Sequence, residues 1–230
     1  MTERRVLGVD ACRKGWVGVA GGLDAADAYF GRTIRELMAL VEADGRIDVV
    51  AIDIPIGLPD KGRRQADVLA RPLVGPRWQS VFMTPVRDAL LASDHAAAVI
   101  VNRQLAGEGV SCQAFALKTK ILEIEGWVKE DDHSVIEVHP EVCFATMGQA
   151  PLLSRKKTLA GAEQRRLLLD GAGVRLTNGL SLAGVVAAVD DLLDAAAAAW
   201  TARRYASGQA RSLPATPEVF SDGITCAIWA

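Results

Sequence analysis

Val6-Leu7-Gly8-Val9-Asp10 is an apolar run that ends on an acid, and after a turn containing Lys14 and Gly15 it is followed by Trp16-Val17-Gly18-Val19-Ala20. Two apolar runs joined by a short polar turn predict a hairpin of two buried strands. A third strand is expected near Ala28-Tyr29-Phe30. Thr33 then reads as a helix N-cap with Glu36 three residues on, and Ile34, Leu37, Met38 and Val41 recur at helical spacing to about Asp44. This helix crosses over to Asp48-Val49-Val50-Ala51-Ile52-Asp53-Ile54, a nearly continuous apolar run stopped by Pro55 and Gly57. Such a run predicts a central strand covered on both faces, with Asp53 at its C-terminal end.

From Pro59 to Pro85 the chain becomes basic and irregular, with Lys61, Arg63, Arg64, Arg71, Arg77 and, just beyond, Arg87 set among Pro, Gly, Trp78 and Phe82. Helices are expected over about 86–106 and 111–129, the second capped by Ser111. Ser134-Val135-Ile136-Glu137-Val138 reads as the next strand, ending at His139-Pro140. Further helices are expected near Glu141–Met147, Lys157–Leu169 and Leu182–Tyr205, and Ile224–Trp229 reads as a short edge strand. The predicted fold is therefore α/β, a single domain over 1–230 with an insertion at about 59–131.

The composition suits that reading. The chain has 230 residues, 50% hydrophobic and 23% charged, with a net charge of -2, which argues against a protein that coats nucleic acid by global charge. No apolar stretch reaches the roughly 18 residues of a membrane span, because the alanine-rich region before Trp200 is interrupted by Asp190, Asp191 and Asp194. Cys12, Cys112, Cys143 and Cys226 form no C-x-x-C pair and no signal peptide is read. Reduced thiols and a cytoplasmic location are the corresponding expectations.

The chemistry lies in where the acids fall. Asp10, Asp53 and Glu137 each stand where an apolar strand meets a loop, and in open α/β sheets the carboxyl ends of strands face the ligand crevice. Asp191 and Asp194 are three apart on a helix and share one face. Carboxylates gathered together raise one another's pKa unless a hard cation neutralises them, and Mg²⁺ or Mn²⁺ takes carboxylate oxygens readily. Two such ions about 3.5–4 Å apart serve phosphodiester hydrolysis. A metal-dependent nuclease is thus expected, with Asp10, Asp53, Glu137, Asp191 and Asp194 as ligands. Lys14, Arg87, Lys118 and Lys120 are candidates to hold phosphates, and His139 to ligate metal or move a proton. Glu141 is read as serving a helix N-terminus, and Arg155-Lys156-Lys157 as ordinary surface charge.

The order of these elements resembles the RNase H-like superfamily, and Asp191-Leu192-Leu193-Asp194-Ala195-Ala196-Ala197 resembles the closing helix of RuvC-type resolvases. More closely, nearly the whole chain is similar to domain-of-unknown-function family 429 (DUF429), whose members are described as predicted nucleases of that fold. The carrying motifs are GVDACRKGWVG at 8–18, AIDIPIGLP at 51–59, SVFMTPVRDAL at 80–90, GVSCQAFALKTKI at 109–121, EVHPEVCF at 137–144 and the stretch 190–200. The resemblance implies a mixed five-stranded sheet with helices on both faces. It also implies Asp10 as a bridging metal ligand, Asp53 or Glu137 as the second acid, and Asp191 with Asp194 as ligands borne on the helix. The expected partner is nucleic acid, DNA or RNA unspecified, with homodimerisation left open.

Two other classes compete. Actin-like ATPases and sugar kinases share the fold core and place Gly-x-Asp on their first strand, but they need two copies of the fold and a later glycine-rich loop, and this chain has neither the length nor a clear second copy. A module that binds nucleic acid or protein without catalysis is the third class. A Mn²⁺ titration without a signal would exclude the two-metal nuclease, and binding of ATP but not of nucleic acid would favour the kinase.

Overall fold

The computed structural model describes residues 4–21, 25–176 and 182–230. Its centre is one mixed sheet of β1 (Val6–Cys12), β2 (Gly15–Gly21), β3 (Ala26–Gly31), β4 (Val49–Ile52), β5 (Ser134–Val138), β6 (Ser212–Val219) and β7 (Thr225–Trp229), in the order β3-β2-β1-β4-β5-β7-β6. β1 runs antiparallel to β2 and parallel to β4, and β4, β5 and β7 continue in parallel. The sheet therefore has seven strands where five are expected. The chain's last strand is also internal: β7 lies between β5 and β6, and β6 takes the edge. Pro214 and Pro217 explain why β6 reads as a loop, since proline cannot donate to a ladder and is tolerated at a sheet edge.

Helices cover both faces. On one face α1 (Ile34–Glu42) and α6 (Lys118–Glu130) bury Ile34, Leu37, Ile121 and Ile124 against Leu7, Val9, Val50 and Ile52. On the other, α7 (Pro140–Met147), α8 (Leu159–Gly171) and α10 (Val189–Ala206) pack against Val6, Val49, Ala51, Ile136 and Val138. α10 lies directly on β1 because both surfaces are stripped down: Ala195 to Ala199 are all buried, and a Cβ on Gly8 would stand 2.1 Å from the Ala195 carbonyl oxygen. That close approach sets Asp194 alongside the end of β1.

Between β4 and β5 run α2 (Gln65–Leu73), a 3₁₀ turn at Gly75–Ser80, α3 (Arg87–Leu91), α4 (His95–Ala106) and α5 (Cys112–Ala116), then α6. Three of the expected long helices are broken, the one over 111–129 at Leu117 between α5 and α6. Asp94 restarts the first by accepting the Ala97 N–H at 2.9 Å, so α3 and α4 are separate. Ala187 and Ala188 are extended and divide α9 (Ala183–Val186) from α10. The Ser111 and Thr33 caps form as read, with Glu36 reaching the Arg32 N–H at 3.0 Å. Among the described residues no helix is long and apolar enough to cross a membrane.

Candidate functional site

The carboxyl ends of β1, β4 and β5 open into a cleft of about 250 Å³ whose lining includes Asp10, Asp53, Glu137, His139, Glu141, Lys156, Asp191 and Asp194. Strand parity decides which of these acids face one another. Val9 pairs with Ile52, and the Asp53 N–H donates to the Val9 carbonyl at 2.9 Å, so Asp10 and Asp53 follow at one level. Side chains alternate along a strand, and Val6, Gly8, Val49 and Ala51 already face α10. Asp10 and Asp53 continue that face, toward Asp194. Glu137, by contrast, pairs with Ile52 and belongs to the opposite face.

On that opposite face Glu137 is fully committed. Its Oε1 accepts from Arg64 Nη2 at 2.7 Å, and its Oε2 from Arg64 Nη1 at 2.8 Å and from the Ile56 N–H at 2.7 Å. Arg64 is 1% exposed and also pairs with Asp67 at 2.5 Å, whose other oxygen accepts the Thr84 N–H. This buried network ties β5 to the segments after β4 and before α3. The structure therefore brings Asp10, Asp53, Asp191 and Asp194 together and leaves Glu137 as a brace of the cleft wall.

The four aspartates differ in environment. Burial raises the Asp10 carboxyl well above the ordinary carboxylate range, and the charges of Asp53, Asp194 and Asp191 raise it further. Burial likewise raises Asp53, against the lowering effect of His139 and Lys156. Asp194, buried on α10, is pushed up to about 6 by desolvation even though Lys156 opposes the shift. Its Oδ2 accepts from Lys156 Nζ at 2.5 Å, while its buried Oδ1 has no partner. Asp191 is half-buried and its Oδ2 accepts the Ala188 N–H at 3.1 Å, the backward half of a capping box.

Two residues read as ordinary belong to this site. Lys156 stands at the cleft, 2.5 Å from Asp194 and 3.9 Å from Asp190. Glu141 lines the cleft at the start of α7 and pairs with the buried Arg165 at 2.5 Å. His139 also lines the cleft. Its Nε2 lies 3.3 Å from the Ser80 carbonyl oxygen, and its Nδ1 is buried without a partner.

The cations expected to hold phosphates are not gathered here. Lys14 is exposed on the β1–β2 turn. Arg87 is held by Glu125 at 3.0 Å and Asp222 at 2.8 Å. Lys118 donates to the Ala92 carbonyl. Lys120 donates to the Gly15 carbonyl and lies 4.1 Å above the Trp16 ring, where burial lowers its pKa. Arg63 forms a double hydrogen bond with Glu108. Much of the basic excursion is thus used to fasten the insertion to itself and to the sheet.

Residues 8–219 match the family described as a protein of unknown function, DUF429. The chain belongs to that family. The DUF429 match begins at Gly8, beneath α10, and takes in every cleft acid from Asp10 to Asp194. Comparison with curated proteins and with solved structures returns no match.

The carboxylates of this DUF429 cleft are oxygen donors, which suit a hard cation such as Mg²⁺ or Mn²⁺, with His139 the one imidazole among the lining residues named above. Among the described residues, however, no group of three or more His, Cys, Asp and Glu side chains forms a ready-made metal cage. The acids have internal partners instead: the Ala11 N–H for Asp10, the Ala188 N–H for Asp191 and Lys156 for Asp194. Asp194 Oδ1 is buried without a partner.

Proposed function

We propose that this DUF429 protein is a metal-dependent hydrolase of phosphodiester bonds, a nuclease of RNase H-like type. The observation that carries the reading is the convergence of Asp10, Asp53 and Asp194 in one cleft, where each carboxyl is raised by burial. Buried carboxylates held close together cost stability, and active sites are where such a cost is retained. The order β3-β2-β1-β4-β5, with the acids at the ends of β1 and β4 and α10 laid against β1, supports the RNase H-like assignment.

Asp10, Asp53 and Asp194, with Asp191 at the rim, would hold Mg²⁺ or Mn²⁺. The metal would polarise a phosphoryl oxygen and lower the pKa of the attacking water. The protein's own part is positioning. The Arg64, Asp67 and Glu137 network fixes the loops that wall the cleft. His139 lines the same cleft, its ring anchored by the contact of Nε2 with the Ser80 carbonyl. All seven strands form one sheet, so the second copy of the fold that an actin-like phosphotransferase needs has no counterpart among the described residues.

The test is a panel of single-stranded, duplex, hybrid and junction substrates with Mg²⁺ and Mn²⁺. Cleavage of at least one substrate is expected, dependent on metal and abolished in Asp10→Asn. Absence of metal-dependent cleavage across the panel, or full activity in Asp10→Asn, would overturn the reading.

A further inference from the structure

Lys156 reaches the carboxylates from the turn that precedes α8, and that turn is built to present it. The Arg155 carbonyl accepts from the Thr158 N–H at 3.0 Å and from its hydroxyl at 2.8 Å, and the same hydroxyl caps α8 by accepting the Gly161 N–H. A Cβ on Gly161 would stand 1.9 Å from the Arg155 carbonyl oxygen, so only glycine lets the turn sit so close to the helix. Arg165, fully buried, donates to the Ser154 and Gly161 carbonyls and pairs with Glu141 at 2.5 Å. The backbone on either side of Lys156 is therefore pinned to α8, and α8 to α7.

The side chain is 39% exposed along its length, yet its Nζ sits 2.5 Å from Asp194 Oδ2 and 3.9 Å from Asp190 Oδ2, and it acts electrostatically on Asp10 and Asp53 as well. An ammonium is a compact point charge with three donors, and here it stands on the oxygen of an acid that a metal would otherwise share. Asp194 Oδ1 is buried and has no partner, and the ammonium charge reaches Asp10 and Asp53 without a hydrogen bond to either.

We infer that Lys156 is a resident cation of the cleft, filling one of the two cation positions that the aspartates set up, so that the wild-type protein takes one divalent ion and the lysine supplies the second positive charge to a phosphate ester. The inference rests on the metal-dependent reading above and specifies the cleft's metal content. It replaces the expectation of two ions with one ion and one ammonium group.

Mn²⁺ alone, titrated by calorimetry and by electron paramagnetic resonance, tests it without substrate. The wild type is expected to bind one ion per chain, Lys156→Met to bind two with the spin-coupled signal of neighbouring Mn²⁺ ions, and Lys156→Arg to bind one, because the charge is kept. Circular dichroism checks that each variant folds, and Lys156→Gln repeats the experiment should Lys156→Met fail to fold. Two ions in the wild type, or one ion in both wild type and Lys156→Met, would overturn the role of Lys156 and leave the metal-dependent reading standing. No Mn²⁺ bound by any of the proteins would overturn both.

Discussion

At the scale of single residues, the acids of the cleft are a cost to the fold. Asp10 is 6% exposed and its carboxyl is raised by burial and by three neighbouring aspartates. At neutral pH the folded protein must either hold a proton there that the unfolded chain has released or keep an under-compensated buried charge. Both destabilise it. Asn keeps the shape and the oxygen that accepts the Ala11 N–H at 2.8 Å, so Asp10→Asn is expected to raise the metal-free melting temperature by several degrees. For a chain of this size each kcal/mol corresponds to about 2–4 °C. A melting temperature that is unchanged or lower in calorimetry would show that the aspartates do not repel. Which acids belong together was only partly legible in the sequence. Asp10, Asp53 and Glu137 all mark strand ends, yet whether they share a face depends on register, and the pairing of Ile52 with Glu137 turns that glutamate away from the aspartates and onto Arg64. Lys156 was illegible because its partner lies 38 residues on, in α10.

At the scale of elements, the site depends on how closely α10 lies on β1. Gly8→Ala would drive a methyl into the Ala195 carbonyl and the Ala199 backbone nitrogen, each 2.1 Å from the added Cβ. Relief requires the helix to move, and overpacking of this kind costs about 1–3 kcal/mol or more. The expected result is a lower urea midpoint together with weaker Mn²⁺ binding, since Asp194 moves with the helix. A midpoint within error of the wild type would show that α10 does not rest on β1. The opposite face has a fastening of its own, with His133 Nε2 2.9 Å from Glu42 at the end of α1 and Nδ1 bonded to Asp131 just after α6. Burial lowers the His133 pKa, and the hydrogen bonds to Glu42 and Asp131 outweigh it, leaving the ring above its ordinary value of 6.5. A histidine raised in this way contributes stability that is fully present below the unfolded pKa and is lost as pH rises through the folded one. Wild type is therefore expected to be more stable than His133→Asn at pH 6, with the gap in melting temperature closing by pH 9. A gap independent of pH would exclude a charged pair. α1 was readable from Thr33, Glu36 and its apolar spacing, whereas the breaks at Ala92–Asp94 and Ala187–Ala188 were not, because no glycine or proline marks them.

At the scale of the whole molecule, the sheet closes with the last strand in the chain. The five strands from β3 to β5 could be read from apolar runs with flanking turns, but β6 carries two prolines, and β7, readable as a short strand, has its internal place set by its partners. β7 fills the gap between β5 and β6, pairing Glu137 with Ile228 and Val138 with Trp229. Cys226, Ala227 and Ile228 are buried, and the Trp229 ring packs edge-on against Tyr205 of α10 at 4.7 Å. Cys226 also lies beside Arg64, so β7 helps to cover the charged network that braces the cleft. The DUF429 match ends at Val219, ahead of β7. A chain ending at Val219 would strip β5 of a parallel partner, leave β6 with no strand to pair with, and open the Arg64, Asp67 and Glu137 network to water. Loss of one fully buried isoleucine alone costs about 1.5–3 kcal/mol. With the aromatic contact and the ladder added, the loss becomes comparable to the roughly 5–15 kcal/mol by which folded domains are stable. The shortened protein is therefore expected to show no cooperative thermal transition and to exchange the amides of β5 rapidly. Full retention of the melting transition after removal of residues 220–230 would show that the five strands from β3 to β5 hold the cleft without β7.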